Sequence, residues 1–298
     1  MPELTDLSYV RALCEKYDFA LSKGFGQNFI VNPGLPPKIV DASGVDKRYG
    51  VLEIGPGIGV LTRELAKRAA KVVSIEVDER LPPLLAETMA GVDNFKLVLQ
   101  DVLKVDLKAL IAQEFPGMPV AVCANLPYYI TTPILMRLLE SGLPFSCITV
   151  MVQAEVADRL CARAGSKDYG AITAVLNYYG AAEKLFRVPA GNFMPAPKVD
   201  SAVVRIRLWQ EKPVRPADEK LFFDTIRLAF EQRRKTLANA LSAGFPDIPK
   251  DVLTGIITDC GHRADIRGER LDTAAFASLS DRIGIWQAQH PRTQAGAD

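Results

Sequence analysis

Short apolar runs rich in β-branched residues alternate with amphipathic helical stretches between residue 51 and about residue 208. The central runs, such as Val-Cys-Ala and Ile-Thr-Val-Met-Val, show no alternation of polar and apolar positions, which is typical of parallel strands buried on both faces. The pattern predicts strands at 50–54, 71–76, 95–99, 119–124, 147–153, 185–188 and 201–209, and helices at 59–70, 107–114, 133–140 and 155–163. No helix separates the last two strands, so we expect an antiparallel pair at one end of a doubly wound α/β sheet.

A proline-containing linker at 212–218 ends this alternation, and the pattern beyond it is helical. Apolar residues at three- and four-residue spacing predict helices at 219–230, 233–242, 250–260 and 273–283, the last one capped by Asp272. We therefore predict four regions: an N-terminal helical segment with a loop (1–50), a larger α/β domain (51–211), a small all-helical domain (212–284) and a flexible tail (285–298).

Composition excludes several classes of site. Neither of the two histidines, His262 and His290, lies in a cluster of metal-ligand residue types, so we expect no histidine-based metal centre and no serine–histidine triad. The five cysteines show no CxxC spacing and are expected to be reduced, as in a cytoplasmic protein. No apolar run reaches the ~18 residues that span a bilayer, so we expect no membrane association. The formal net charge of +1 means that any nucleic-acid surface must come from local clustering.

A glycine-rich turn, Glu53-Ile-Gly-Pro-Gly-Ile-Gly59, follows the first predicted strand and opens a helix. Gly55 and Gly57 would allow a tight turn and close approach of the backbone to a ligand. A carboxylate at Glu53 would repel a pyrophosphate but would suit the positively charged amino and sulfonium groups of S-adenosylmethionine. The turn therefore favours a methyl donor over a nicotinamide dinucleotide.

Acidic residues also end the next two predicted strands. Glu76 stands 21 residues after Gly55, where a carboxylate can accept both ribose hydroxyls. Asp101 can accept the adenine amine, with the Val102 backbone beside the ring. Each residue alone could equally cap a helix, but acidic residues at three successive strand ends favour a nucleoside site.

The fourth predicted strand ends in Asn125-Leu126-Pro127-Tyr128, which carries the candidate chemistry. An adenine amine is a poor nucleophile, because its lone pair is delocalised into the ring. Hydrogen bonds from its protons to the Asn125 side-chain oxygen and the Leu126 carbonyl would favour the pyramidal, reactive form. Pro127 fixes the turn, and Tyr128 offers a face for base stacking. A plain Asn-x-Pro turn is the alternative, and the glycine turn upstream makes it the weaker one.

The chain resembles the ribosomal RNA adenine dimethyltransferases, specifically the small-subunit type, from about residue 20 to 283. The resemblance rests on five ordered motifs, at 26–30 (Gly-Gln-Asn-Phe-Ile), 53–62, 125–128, 193–201 (Phe-Met-Pro-Ala-Pro-Lys-Val-Asp-Ser) and 230–237 (Phe-Glu-Gln-Arg-Arg-Lys-Thr-Leu). It implies a class I, Rossmann-like methyltransferase domain with a small C-terminal helical domain, and S-adenosylmethionine as the cofactor.

The resemblance also assigns site residues. It implies that Gln27, Asn28 and the Ile30 backbone hold the methionine end of the cofactor, although the family usually has leucine at the Ile30 position. Phe193 would be the second aromatic ring that, with Tyr128, encloses the target base. The alternative is that the Phe193 ring is packed in the core. The implied reaction is N6,N6-dimethylation of two adjacent adenosines in the 3′-terminal hairpin of small-subunit ribosomal RNA, on free RNA or on a 30S precursor particle.

RNA contacts are expected from basic residues outside this site. Lys23 lies in a mildly basic segment, and Arg233, Arg234 and Lys235 form the densest basic cluster, at the predicted start of a helix. Arg159, Arg163 and Lys167 are a second candidate patch. The alternative for the main cluster is a solvated helix face or ion pairs, for example with Glu231.

Three other functions stay open at this point. A large-subunit RNA methyltransferase of the resistance type would share the Asn-Leu-Pro-Tyr turn, although the motifs at 193–201 and 230–237 favour the small-subunit type. A non-catalytic RNA-binding or assembly factor would have lost activity, and the intact motifs argue against that. A nicotinamide-dependent reductase would need a hydride-transfer pair such as Tyr-x-x-x-Lys, and the sequence has none at a suitable position. We expect a monomer.

Overall fold

The computed structural model describes residues 3–20 and 27–291. Its strands are β1 (Phe29–Ile30), β2 (Gly50–Ile54), β3 (Lys71–Glu76), β4 (Phe95–Leu99), β5 (Val120–Asn125), β6 (Ile148–Gln153), β7 (Gly180–Val188), β8 (Phe193–Met194) and β9 (Ser201–Leu208). Its α-helices are α1 (Leu7–Lys16), α2 (Leu35–Ser43), α3 (Val60–Arg68), α4 (Pro82–Thr88), α5 (Leu107–Glu114), α6 (Thr131–Glu140), α7 (Ala154–Leu160), α8 (Ala171–Tyr179), α9 (Glu219–Glu231), α10 (Leu237–Gly244), α11 (Lys250–Asp259) and α12 (Thr273–Gln289).

Seven of the described strands form one sheet in the order β4-β3-β2-β5-β6-β9-β7. Strands β2 to β6 run parallel to one another, and β9 runs antiparallel to β6. The strand order reverses between β2 and β5, and ligands of open α/β sheets bind beside the carboxyl ends of strands at such a reversal. The doubly wound α/β prediction is therefore confirmed, with the last two long strands as neighbours at one edge.

Packing divides the chain into two compact units. The first comprises residues up to 157 together with 182–208, and the second comprises 158–181 together with residues from 209 onward. The second unit thus includes a segment that precedes the 212–218 linker. The predicted boundaries at 50/51, 211/212 and 284/285 stay predictions about functional regions.

The core of the first unit forms because its central strands are buried on both faces. One apolar cluster joins β2 and β5 to helices α2 and α3 through residues such as Val51, Ala121, Ile39 and Leu65. A second cluster joins α1 and α4 around Ile58, the residue between the last two glycines of the turn. The turn is therefore anchored through Ile58 to the packed apolar side chains of α1 and α4.

The second unit is helical and packs around aromatic side chains. Tyr169 meets Phe230 edge to face at 5.7 Å between ring centroids, and Phe230 lies 6.1 Å from Phe276. The Tyr169 hydroxyl donates to the Leu271 carbonyl at 2.9 Å, and burial raises the pKa of this tyrosine. The predicted cap of the last helix is confirmed, because Asp272 accepts from the Ala275 backbone at 2.8 Å.

The two largest errors in the predicted helix limits concern α10 and α12. Helix α10 begins at Leu237 rather than at 233, because the chain makes a turn in which the Lys235 backbone donates to Gln232, and Thr236 has an extended conformation. Helix α12 continues to Gln289, past the predicted end at 283, with Trp286 stacked on His290 at 4.3 Å. Helices α4 and α8 were not predicted. None of the described helices is long and apolar enough to cross a membrane.

Candidate active site

The glycine turn between β2 and α3 brings backbone to the edge of a cavity. Gly55 and Gly57 have φ values of +70° and +57°, a region that glycine enters without steric cost. A Cβ atom on Gly57 would stand 3.3 Å from the Phe29 ring, so the turn and the N-terminal segment pack tightly here. The predicted need for glycine at this turn therefore has a geometric basis.

Glu53 lies at the base of the cavity and is 1% exposed. Its Oε2 accepts hydrogen bonds from Ser74 Oγ at 2.5 Å and from Thr62 Oγ1 at 2.8 Å. Burial raises the pKa of this carboxyl to about 7, and the two hydroxyl donors only partly oppose that effect. A cation in the cavity would favour the charged form.

Glu76 and Asp101 lie at the ends of the next two strands. Oε1 of Glu76 accepts from the backbone of Val77 and Asp78 at 2.8 and 2.9 Å, and burial raises the pKa of this carboxyl. Oδ1 of Asp101 accepts from the Leu103 backbone at 2.9 Å. The Gln100 backbone donates to the Glu76 carbonyl at 2.8 Å, which ties the two strand ends together.

The Asn125-Leu-Pro-Tyr turn is held by its own backbone. Leu126 donates to the Met151 carbonyl of β6 at 3.1 Å. The Pro127 carbonyl accepts from the Ile130 backbone at 3.3 Å and from Thr131 Oγ1 at 3.0 Å, at the start of α6. These bonds fix the turn between two buried strands and a helix, so the position of the Asn125 side chain is set by rigid elements.

Tyr128 is oriented by a residue that sequence reasoning did not single out. Its hydroxyl lies 2.6 Å from Ser201 Oγ at the start of β9, and burial raises the pKa of the phenol. Ser201 closes the 193–201 motif, so its place in that motif was the signal available. Tyr129, 54% exposed at the cavity wall, was also missed as a lining residue.

The structure brings the predicted cofactor and catalytic residues together around one cavity in the first unit. The predicted residues that line it are Gln27, Asn28, Ile30, Glu53, Gly55, Gly57, Glu76, Asp101, Val102, Asn125, Leu126, Pro127 and Tyr128. They come from the N-terminal segment and from four successive strand ends. Such convergence at a strand reversal is the arrangement expected of a nucleoside site.

Phe193 is placed differently. Its ring is 4% exposed and packs in the apolar cluster of α2 and α3. Residue 193 pairs with Ile30 in the short antiparallel ladder of β8 and β1, which links it to the cavity wall. The described residues that line the cavity do not include Phe193. Its role as a second stacking ring therefore stays a prediction.

The basic cluster lies in the second unit. Arg233 donates to the Glu269 carboxylate at 3.0 Å and to the Lys167 carbonyl, so part of this cluster holds loops together. Within the described part of the chain, the exposed side chains of Arg234 and Lys235 make no ion pair. The predicted contact Lys23 lies outside the described residues. Among residues 3–20 and 27–291, no cluster of three histidine, cysteine or acidic residues could hold a metal ion.

Comparison with known proteins agrees with this geometry. A family model described as "Ribosomal RNA adenine dimethylase" matches residues 19–259. A Streptococcus gordonii protein named "Ribosomal RNA small subunit methyltransferase A" is 46% identical over 94% of this chain and 98% of its own length. A Geobacillus thermodenitrificans protein of the same name is 48% identical over 92% of this chain and 94% of its own length.

Two solved structures share the fold over most of the chain. A dimethyladenosine transferase from Plasmodium falciparum superposes with a TM-score of 0.69 at 25% identity, over 84% of this chain and 95% of that one. The 23S rRNA methyltransferase ErmE superposes with a TM-score of 0.64 at 28% identity, over 86% of this chain and all of that one. The sheet is thus that of the S-adenosylmethionine-dependent methyltransferases, and the chain belongs to the ribosomal RNA adenine dimethylase family.

Proposed function

We propose that the protein transfers methyl groups from S-adenosylmethionine to N6 of two adjacent adenosines in the 3′-terminal hairpin of small-subunit ribosomal RNA. The product is N6,N6-dimethyladenosine. The observation that carries the proposal is one cavity that contains acidic residues from three successive strand ends and the Asn125-Leu-Pro-Tyr turn. The names of relatives at 46–48% identity supply the small-subunit substrate.

The polar residues that line the cavity suit the chemistry of the cofactor. A Cβ atom on Gly57 would crowd Phe29, so at this turn the backbone of Gly55 and Gly57 itself lines the cavity. Glu76 would accept the ribose hydroxyls, Asp101 would accept a hydrogen bond from the adenine amine, and Val102 would contact the ring. Gln27, Asn28, the Ile30 backbone, Glu53 and the glycines would hold the methionine end. When bound, S-adenosylmethionine supplies an electrophilic methyl group on a positively charged sulfur.

The chain's own contribution to chemistry is to position the target amine. The Pro127 carbonyl already accepts from Ile130 and Thr131, so we assign the amine protons to the Asn125 side-chain oxygen and the Leu126 carbonyl. These contacts would draw the nitrogen lone pair out of conjugation. The bound cofactor would supply the methyl group by in-line displacement, in which an N–C bond would form as the C–S bond breaks and the amine would lose a proton to solvent. Position and charge complementarity suffice for such a step.

The target base must leave its stack to enter the cavity, which costs a few kcal/mol and is least for a loop base. Tyr128 offers one stacking face, and its hydrogen bond to Ser201 holds that ring in place. Phe193 is proposed as the second face. The phosphate backbone of the RNA would meet Arg233, Arg234 and Lys235, with Lys23 as a further contact. We further propose that the protein acts as a cytoplasmic monomer on a 30S precursor particle.

A large-subunit RNA substrate is the second candidate, because the 23S rRNA methyltransferase ErmE shares the fold at 28% identity. The relatives named as small-subunit enzymes are considerably more similar, at 46% and 48%. That difference favours the small-subunit reaction.

The deciding experiment measures transfer of labelled methyl from S-adenosylmethionine to undermethylated small ribosomal subunits and, separately, to large subunits. Asn125→Ala removes one amine acceptor and is expected to lower the turnover number by about 100-fold or more, in the range seen when one positioned hydrogen-bond partner is removed from an active site. Asn239→Ala, in helix α10 of the second unit, is the matched control and should retain full activity. Label in large-subunit RNA alone would select the other substrate, and label in neither would contradict an enzymatic role.

A further inference from the structure

A buried carboxylate outside the predicted site, Asp78, lies two residues after Glu76 and is 2% exposed. Its two oxygens accept two side-chain hydrogen bonds from Arg80, at 2.8 Å from Nε and 2.7 Å from Nη2. Oδ1 also accepts from the Arg80 backbone at 3.1 Å. The Arg80 hydrogen bonds are the main reason why the pKa of Asp78 lies below its usual value. The carboxylate is therefore charged and held in one orientation.

The same carboxylate also contacts the segment 27–30, which forms the N-terminal wall of the cavity. Oδ2 of Asp78 accepts from Gln27 Nε2 at 2.7 Å, although the two residues are 51 positions apart. Gln27 is itself one of the residues that line the cavity. A hydrogen bond with a charged acceptor is stronger than one between neutral groups, so this contact can fix the side chain of Gln27.

Arg80 contacts two residues that precede this wall in the sequence. Its Nη1 donates to the Ala20 carbonyl at 3.3 Å, and its guanidinium lies 4.9 Å from the centre of the Phe19 ring. Phe19 in turn stacks on Phe29, with 6.2 Å between ring centroids and 23° between planes. Phe29 lines the cavity and is the ring that a Cβ atom on Gly57 would meet.

The wall has little regular structure of its own. Residues 29–30 form only a two-residue strand, paired with 193–194. Two residues cannot build a ladder strong enough to fix a wall, so side-chain contacts must contribute. The Asp78–Arg80 pair supplies such contacts at Phe19, Ala20 and Gln27, which lie on both sides of residues 21–26.

We infer that Asp78 is a positioning residue for cofactor binding: it holds Gln27, and through it the wall at 27–30, in the place that completes the cavity. The inference rests on the proposed cofactor site. Asp78 does not line the cavity, so it acts through Gln27 rather than by touching the ligand. Its loss therefore weakens the binding of cofactor while the turn that positions the target amine stays intact.

The test is the affinity of the full chain for S-adenosylhomocysteine, measured by calorimetry for wild type, Asp78→Asn, Gln27→Leu and the double variant. We expect Asp78→Asn to raise the Kd about tenfold, which corresponds to about 1.4 kcal/mol. The double variant should bind no more weakly than the weaker single variant, because both changes break one contact. In turnover assays the KM for S-adenosylmethionine should rise with little change in kcat.

Glu87→Gln is the matched control. Glu87 accepts from Lys16 Nζ and from the Tyr17 hydroxyl, both at 2.6 Å, so it also ties the N-terminal segment to the first unit. It does not line the cavity. This variant should lower the Tm slightly and leave the affinity unchanged, which separates positioning of the wall from general stability.

Arg80→Lys keeps the positive charge but loses the two-point contact, and it replaces Asp78→Asn if that variant does not fold. An unchanged affinity in folded Asp78 or Arg80 variants would overturn the inference, as would full additivity with Gln27→Leu. Failure of the wild type itself to bind S-adenosylhomocysteine would instead overturn the proposed cofactor site, and the inference with it.

Discussion

At the scale of single residues, the carboxyl group of Glu53 shows how burial prepares a site for a cation. Its two hydroxyl partners, Ser74 and Thr62, do not offset the loss of water, and its pKa rises to about 7. Close to neutral pH the group is therefore shared between its protonated and charged forms. A ligand that carries a positive charge binds the charged form better, so binding should release a proton near pH 7.

Glu53→Gln tests this account through stability. The folded state keeps a proton that the unfolded chain, with a pKa of 4.5, has already released. Wild-type stability should therefore fall as pH rises from about 4.5 through about 7, by about 3 kcal/mol in all. Glu53→Gln lacks this loss and should be more stable than wild type at pH 8, but not at pH 4.5. Urea unfolding at both pH values measures it.

The control for that experiment is Glu15→Gln at an exposed position of α1. This variant also removes a glutamate carboxyl group, but from the protein surface, so the difference between the two variants isolates the effect of burial. A Glu53→Gln protein that follows the wild-type pH profile would contradict the burial argument.

The sequence predicts where the acidic residues lie but not what they contact. The rule that strand ends carry ligands is sufficient to place Glu53, Glu76 and Asp101 around one cavity. The Glu53–Ser74 hydrogen bond depends on the register of β2 against β3, which pairs these two residues. Apolar runs without alternation do not specify register, so no reading of the chain alone could find that partner.

At the scale of elements, the glycine turn combines a conformational requirement with a steric one. Gly57 and Gly117 both have positive φ, at +57° and +71°. A Cβ atom on Gly57 would crowd the Phe29 ring at 3.3 Å, whereas one on Gly117 would meet no atom within 4 Å. The two positions therefore separate backbone strain from the loss of space.

Alanine at either position should lower the free energy of unfolding by about 1 kcal/mol, because a residue with a Cβ atom rarely adopts positive φ. Only Gly57→Ala should also weaken the affinity for S-adenosylhomocysteine, because Phe29 must shift within the cavity wall. Thermal unfolding and calorimetry on both variants measure the two effects. Equal affinities in both variants would show that the turn tolerates a side chain.

Element limits were less predictable than element types. Helix α4 begins with Pro82-Pro83, and prolines favour a first helical turn, but this seven-residue helix is too short to show a clear period. The pattern predicts too early a start for helix α10, because Arg233, Arg234 and Lys235 suit a helix in isolation. In the structure these residues form a turn, and Arg233 contacts Glu269 and Lys167, which are both distant from it in sequence.

At the scale of the whole molecule, charge is local rather than global. The chain carries a net charge of +1, so the proposed RNA affinity would depend on clusters such as Arg234 and Lys235 in the second unit. Arg233 is already paired with Glu269, so its replacement would disturb loops as well as the proposed RNA contact. Arg234 and Lys235 are therefore the cleaner test of an electrostatic role.

We expect Arg234→Ala and Lys235→Ala each to weaken binding of small-subunit RNA and to reduce the slope of log K against log salt by about 1, as one lost phosphate contact predicts. Filter binding across a salt series measures both quantities. Arg48→Ala, at a residue of the first unit with a 78% exposed side chain paired with Asp46, is the control and should leave the slope unchanged. Equal slopes in all variants would remove the cluster from the RNA interface.

The short ladder of β1 and β8 has one more consequence. It pairs Ile30, in the cavity wall at 27–30, with Phe193, whose ring is buried. If a base is to stack on that ring, the residues that cover it must move. Strand β1, which carries Ile30 and pairs with Phe193, would move with them. Occupancy of the two sites is then coupled through one pair of strands. If bound cofactor changes the affinity for RNA by some factor, thermodynamic reciprocity requires that bound RNA changes the affinity for the cofactor by the same factor.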